Sequence, residues 1–68
     1  MTSAELDYML QQLDLDHHSA AVFFKVNDRT CRRWLQGVHD IPESVAMVLH
    51  LMLRHGFTPE EVKRWNKV

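Results

Sequence analysis

The sequence has few cysteines, glycines and prolines, and it lacks any long apolar run. Its single cysteine, Cys31, cannot form a disulfide within the chain, which is consistent with a reducing compartment. No uninterrupted run of apolar residues exceeds five, whereas a membrane-spanning helix needs roughly 20. Nothing near Met1 resembles a signal peptide. These three observations lead us to expect the protein in the cytoplasm. With only two glycines and two prolines, the composition also favours a compact helical protein.

A general excess of positive charge is also absent, since the net charge is -1 whereas duplex-binding proteins usually carry a basic excess. The charge is unevenly distributed. Residues 1–24 contain four acidic residues and no lysine or arginine, and residues 38–68 contain four acidic and four basic residues. Residues 25–37 contain three arginines and Lys25 against the single acid Asp28, a local charge of +3. This basic block indicates an anionic partner such as nucleic acid.

Helix starts are marked by residues that can cap free backbone amides, namely Thr2 with Glu5, Asp16, Asn27, and Thr58 with Glu61. Gly37 and Gly56 suit the left-handed conformation that ends a helix, and Pro42 suits a first helical turn. These signals predict an all-α domain over residues 1–68, with no strand and with helices at about 3–13, 17–24, 28–36, 42–55 and 59–66. A chain this short has a marginal core, so a partner subunit would stabilise it.

The third predicted helix has two distinct faces at about 100° per residue. Its apolar face carries Cys31, Trp34 and Leu35, which we interpret as core residues. The opposite face spans an arc of roughly 100° and carries the polar residues Arg29, Arg32, Arg33 and Gln36. Arginine suits the recognition of a duplex because its planar fork can donate two parallel hydrogen bonds to guanine or pair with a phosphate. The pattern therefore predicts a helix that docks on one side and binds DNA on the other.

The segment from residue 17 to residue 37 resembles the helix-turn-helix of the phage repressor and Cro superfamily, also described as lambda-repressor-like or XRE-type. The features that carry the resemblance are Ala21, the apolar turn residue Val26, the cap Asn27 and the run from Arg29 to Gly37. It extends over about residues 4–55, including Ile41-Pro42-Glu43 before an apolar helix. The turn departs from the family pattern at Lys25, where glycine is usual.

This resemblance implies a compact five-helix, lambda-repressor-like domain with a DNA-binding role for one side of the third helix. Base-reading side chains are implied at Asp28, Arg29 and Arg33, and contacts near the DNA backbone at Thr30 and Arg32. Another phosphate contact is implied along the stretch from Gln36 to His39, and we also expect Lys25 to contact a phosphate. The function implied is a homodimeric repressor of its own operon, placed on the nucleoid of a bacterial or phage-infected cell. A narrower resemblance is to the stand-alone autorepressors of phage operons, including those encoded beside anti-CRISPR genes.

The fourth and fifth predicted helices suggest how two copies would associate. Along the fourth helix, Val45 and Leu49 point toward the core, whereas Met47 and Leu51 point roughly the opposite way. The predicted dimer interface consists of the apolar residues Met47, Leu51, Phe57, Val62 and Trp65. A twofold dimer would place its recognition helices roughly 34 Å apart and select an inverted repeat. The alternative is that the fifth helix alone folds back over this surface.

Other functional classes are open at this stage. The principal rival is a protein-interaction module, an antitoxin or adaptor that uses the apolar surface of the fourth and fifth helices; RNA binding is a third interpretation. We expect no enzyme, because the sequence offers no set of nucleophile, base and orienting group. We expect no metal, cofactor or small-molecule ligand, because His17 and His18 diverge on a helix while His50 and His55 lie five residues apart.

Overall fold

Five α-helices and no strand make up residues 1–65, the part of the chain that the computed structural model describes. In chain order, the helices are α1 (Ser3–Gln12), α2 (His17–Phe24), α3 (Asp28–Gln36), α4 (Glu43–His55) and α5 (Pro59–Trp65). The all-helical class and the number of helices predicted from the sequence are therefore confirmed for the described residues. Within the same residues, none of the helices combines the length and apolar character that a membrane-spanning segment requires.

Side-chain caps begin the first helices at the predicted positions. The Thr2 hydroxyl accepts a hydrogen bond from the Glu5 amide at 3.1 Å, and the Glu5 carboxylate accepts one from the Thr2 amide at 3.2 Å. The Asp16 carboxylate accepts a hydrogen bond from the Ser19 amide at 2.7 Å, and hydrogen bonding with Ser19 lowers the pKa of Asp16. Such caps each contribute about 0.5–2 kcal/mol, because they satisfy amides that have no partner inside the helix.

The fifth helix begins with a second capping box, also as predicted. The Glu61 amide donates to the Thr58 hydroxyl at 3.2 Å, and the Thr58 amide donates to the Glu61 carboxylate at 3.2 Å. Two boundaries differ from the prediction by one residue: α1 ends at Gln12, and α4 begins at Glu43 with Pro42 just outside it. Residue 66, the predicted end of the fifth helix, lies outside the described residues.

Three helices end at a residue in the left-handed conformation. Gly37 has φ 76° and Gly56 has φ 72°, which glycine adopts without a steric penalty. Lys25, at the end of α2, has φ 59° and ψ 41° even though it carries a side chain. The backbone of the turn thus takes the shape that favours glycine, at the position where the sequence departs from the family pattern.

The core joins the first four helices around α3. Its buried members are Leu6, Leu10, Ala20, Ala21, Cys31, Trp34, Val45 and Leu49. The central helix α3 packs against both α1 and α2, and α1 also packs against α4. Alanine at positions 20 and 21 lets α2 and α3 approach closely, since a larger side chain would hold the two short helices apart. The helix α5 contributes no buried residue, so the core is built without it.

Candidate nucleic-acid interface

The apolar face of α3 anchors the helix in the domain. Cys31 and Trp34 are 1% and 4% exposed, and Leu35 packs against the same core while remaining half-buried. Burial raises the pKa of the Cys31 thiol, with a smaller contribution from the charge of Asp28. The thiol is therefore kept neutral, which suits a packing residue and agrees with its interpretation from the sequence.

The opposite face of α3 is open to solvent. Arg29, Arg32 and Gln36 are exposed, and Arg33 is half-buried. Within residues 1–65, the only ion pair joins two other residues. No carboxylate in this part of the chain therefore lies within ion-pairing distance of the guanidinium groups of Arg29, Arg32 and Arg33. Their charge is therefore not neutralised by the described part of the fold. This arrangement leaves planar hydrogen-bond donors available to a phosphate or to the edge of a base.

The turn between α2 and α3 is held by backbone hydrogen bonds. The Val26 amide donates to the Ala21 carbonyl at 2.9 Å, and the Lys25 amide donates to the Val22 carbonyl at 3.2 Å. Ala21 is buried where the two helices meet, and the Lys25 side chain is exposed beside the turn. Lys25 therefore carries an exposed side chain in the turn that precedes α3.

The start of α3 is fixed by Asn27. Its side-chain oxygen accepts hydrogen bonds from the amide and from the hydroxyl of Thr30, both at 2.8 Å. The Thr30 hydroxyl consequently faces the cap, where its lone pairs can still accept a hydrogen bond but its proton is engaged. Among the predicted DNA contacts in residues 1–65, Thr30 is thus the one whose side-chain hydrogen-bond donor, the hydroxyl, already has a partner in the protein.

Asp28, the first residue of α3, is paired with His18, which the sequence analysis considered only as a metal ligand. The Nδ1 atom of His18 lies 3.1 Å from each carboxylate oxygen of Asp28. The hydrogen bond and the negative charge of Asp28 raise the pKa of His18, and the charge of Asp16 adds to the effect. The pairing joins the first turns of two helices. Because the two paired residues are ten positions apart in sequence, no local pattern predicts their contact.

The loop after α3 remains close to the end of that helix. The Arg33 carbonyl accepts hydrogen bonds from the Val38 amide at 3.0 Å and from the His39 amide at 3.4 Å. His39 and Gln36 are both exposed. The two predicted phosphate contacts at this end are therefore next to the arginine face of α3, while Lys25 lies at its other end.

A second exposed surface is apolar and lies on α4 and α5. Met47, Leu51 and Trp65 are 59%, 52% and 52% exposed. The other predicted interface residues, Phe57 and Val62, are half-buried, and the rings of Phe57 and Trp65 meet edge to face with centroids 4.8 Å apart. The last helix therefore covers part of this surface and leaves the rest in water.

An open groove adjoins this apolar surface. It has a volume of about 740 Å³ and is lined by Val22, Phe23, Phe24, Lys25, Val48, Val62, Lys63 and Trp65. Phe23 and Phe24 are only half-buried, and their rings pack edge to face with centroids 5.0 Å apart. Val48 and Leu51 are neighbours on α4 at a spacing of three residues, so the groove is continuous with the exposed side of that helix.

The described residues define an all-helical protein with a basic face on α3 and an apolar face on α4 and α5. Comparison of the chain with protein-family models, with curated proteins and with solved structures gives no match. Over residues 1–65, no three histidine, cysteine, aspartate or glutamate side chains are placed to share a metal ion. The basic face of α3 and the apolar face of α4 and α5 are therefore the features from which a function can be inferred.

Proposed function

We propose that the protein is a sequence-specific transcriptional regulator that binds double-stranded DNA through a helix-turn-helix formed by α2 and α3, residues 17–37. The observation that supports this most strongly is the two-sided character of α3. Its apolar side is buried through Cys31 and Trp34, while its arginines lie on the opposite face and form no ion pair within residues 1–65. A helix that is docked on one side and cationic on the other is suited to the major groove.

In this proposal, the contacts divide into base reading and positioning on the backbone. Arg29 and Arg33 read base edges from the groove-facing side of α3, and Asp28 lies beside them at its start. The positioning contacts to phosphates and sugars come from Lys25, Thr30, Arg32, Gln36 and His39. Positioning contacts fix the register of the protein on the duplex, whereas base contacts select the sequence.

The proposal includes a homodimer that binds an inverted repeat. The exposed apolar residues Met47 and Leu51 on α4, together with Trp65 on α5, support it because apolar surface of this kind is favourably removed from water. A twofold axis through this surface would present two copies of α3 to adjacent turns of the major groove. Binding at a promoter then represses by occupancy, and the simplest target is the protein's own operon.

Selection from a random duplex pool, followed by fluorescence anisotropy on the selected duplex, tests the proposal. Replacement of Arg29 or Arg33 by alanine should each cost about 1–3 kcal/mol of binding and relax the preference at one base position. The matched control is Arg54→Ala, which removes an exposed arginine from α4. Unchanged binding by both α3 variants, or an equal loss in the control, contradicts the assignment of α3 as the reading helix.

A second function is a protein-interaction module of the antitoxin or adaptor kind. The groove of about 740 Å³ and the exposed side of α4 favour it, since they offer a continuous apolar surface. The two functions respond differently to salt. DNA binding weakens steeply as salt concentration rises, whereas co-purification with a protein partner through an apolar face does not. Preference for an RNA hairpin over the duplex would instead indicate a regulator of transcripts.

A further inference from the structure

The His18–Asp28 pair connects the two helices of the proposed DNA-binding unit at their N-terminal ends. His18 is in the first turn of α2, Asp28 is the first residue of α3, and the imidazole Nδ1 is equidistant, at 3.1 Å, from both carboxylate oxygens. It is the only ion pair between side chains in residues 1–65. Both side chains are also open to solvent, at 67% and 45%. The pair is therefore a surface feature of the proposed interface and not a core contact.

The charge of Asp28 opposes the charge of the surface around it. It is the single acid within residues 25–37, and Arg29 and Arg32 lie beside it on α3. A free carboxylate at this position would face the phosphates of a duplex and repel them. When His18 carries its proton, the imidazolium offsets this charge and holds the carboxylate by a charge-assisted hydrogen bond.

We propose that His18 is a positioning residue for DNA binding: its protonated ring neutralises and orients Asp28, so that the affinity for duplex DNA rises as the ring gains its proton. The inference rests on the proposed function. In this way His18, a residue of α2, influences which bases α3 selects. The Asp28 carboxylate, held by His18, can accept a hydrogen bond from cytosine N4 only in the orientation that the ring leaves open.

The electrostatic surroundings of His18 favour this behaviour. Asp28 from α3 contributes first a hydrogen bond and then its charge, and Asp16 before α2 contributes a smaller charge effect; all three raise the pKa of His18 from its ordinary value. His17, the neighbouring titratable residue on α2, has no side-chain partner within residues 1–65. Because the pKa is raised in the folded protein, the pair stabilises the fold below the ordinary histidine pKa, and this contribution disappears as pH rises through the raised value.

The first experiment follows the ring protons of His18 by NMR as pH is varied, in the protein alone. Because Asp28 raises the pKa of His18, the ring of this histidine should titrate at lower pH in Asp28→Asn than in the native protein. A His18 ring that titrates at the same pH in the native protein and in Asp28→Asn overturns the inference and leaves the proposed function intact.

The second experiment measures duplex affinity at pH 6 and pH 8 for the native protein, His18→Gln and the matched control His17→Gln. The chain contains four other histidines, so the comparison between variants carries the result. Lowering the pH should tighten binding by the native protein and by His17→Gln. This gain in affinity should be about two- to fivefold larger than the gain for His18→Gln, which is the size typical of an exposed charge pair.

The outcomes separate the inference from the function on which it rests. Equal pH dependence of the native protein and His18→Gln overturns the role of His18 while duplex binding itself persists. Absence of duplex binding by the native protein at both pH values overturns the proposed function and the inference together. Asp28→Asn should bind with a weaker dependence on pH, and a dependence as strong as that of the native protein contradicts the pairing as its cause.

Discussion

Replacement of Lys25 by glycine should stabilise the protein, because Lys25 holds a left-handed backbone at the end of α2. Its φ of 59° and ψ of 41° place a β-carbon near the carbonyl oxygen, a conformation that costs an L-residue about 1–2 kcal/mol. Glycine relieves this cost but gives the unfolded chain more freedom, which is worth about 0.4–1 kcal/mol in the other direction. The net expectation is a free energy of unfolding higher by about 0.5–1 kcal/mol.

Urea unfolding followed by far-UV circular dichroism measures this change, and thermal unfolding should show a Tm higher by about 2–8 °C. The matched control is Lys25→Ala, which removes the same exposed charge but keeps a β-carbon. Only Lys25→Gly should gain stability. Both variants should lower the slope of log K against log salt for duplex binding by about 0.9, since each removes one proposed phosphate contact. Equal stability of the two variants would refute the argument from backbone conformation.

Further expectations concern the core, the cap of α3 and the apolar face of α4. Leu49→Ala should cost about 2–5 kcal/mol in a urea titration, because Leu49 is 0% exposed and its loss leaves a cavity; a cost below 1 kcal/mol contradicts that packing. Asn27→Ala should cost about 0.5–2 kcal/mol by removing the cap that accepts from Thr30, whereas a cost equal to that of an exposed control such as Gln12→Ala contradicts the cap's role. Leu51→Glu should leave the monomer's unfolding within about 0.5 kcal/mol of the native value but abolish the dimer in sedimentation equilibrium, and an unaffected dimer excludes this face as its interface.

The helix boundaries could be predicted from the sequence because they depend on local chemistry. Asp16, Asn27 and the two capping boxes each act over three residues, so the spacing of the residues alone predicts the contact. The boundary at Pro42 was misplaced by one residue, since no side-chain cap precedes α4 to mark its start. Gly37 and Gly56 were correctly placed because positive φ favours glycine.

Features that depend on how helices approach one another were less accessible. The contact between His18 and Asp28 requires the first turns of α2 and α3 to meet, and that distance follows from the turn at Lys25 rather than from residue spacing. The incomplete burial of Phe23 and Phe24 has a similar origin, since it depends on α5 leaving a groove beside them. By contrast, the exposure of Arg29 and Arg32 agrees with helical periodicity, which predicts the outer face once the apolar face is known; Arg33 is half-buried.

The guanidinium face of α3 is the surface that we propose to meet DNA. Arginine side-chain Nε–Hε signals can be followed by NMR while the selected duplex is added. We expect the signals of Arg29, Arg32 and Arg33 to shift or broaden, while those of Arg54 and Arg64 stay in place. Changes confined to Arg54 and Arg64, with the α3 signals unmoved at saturating duplex, would contradict this proposal.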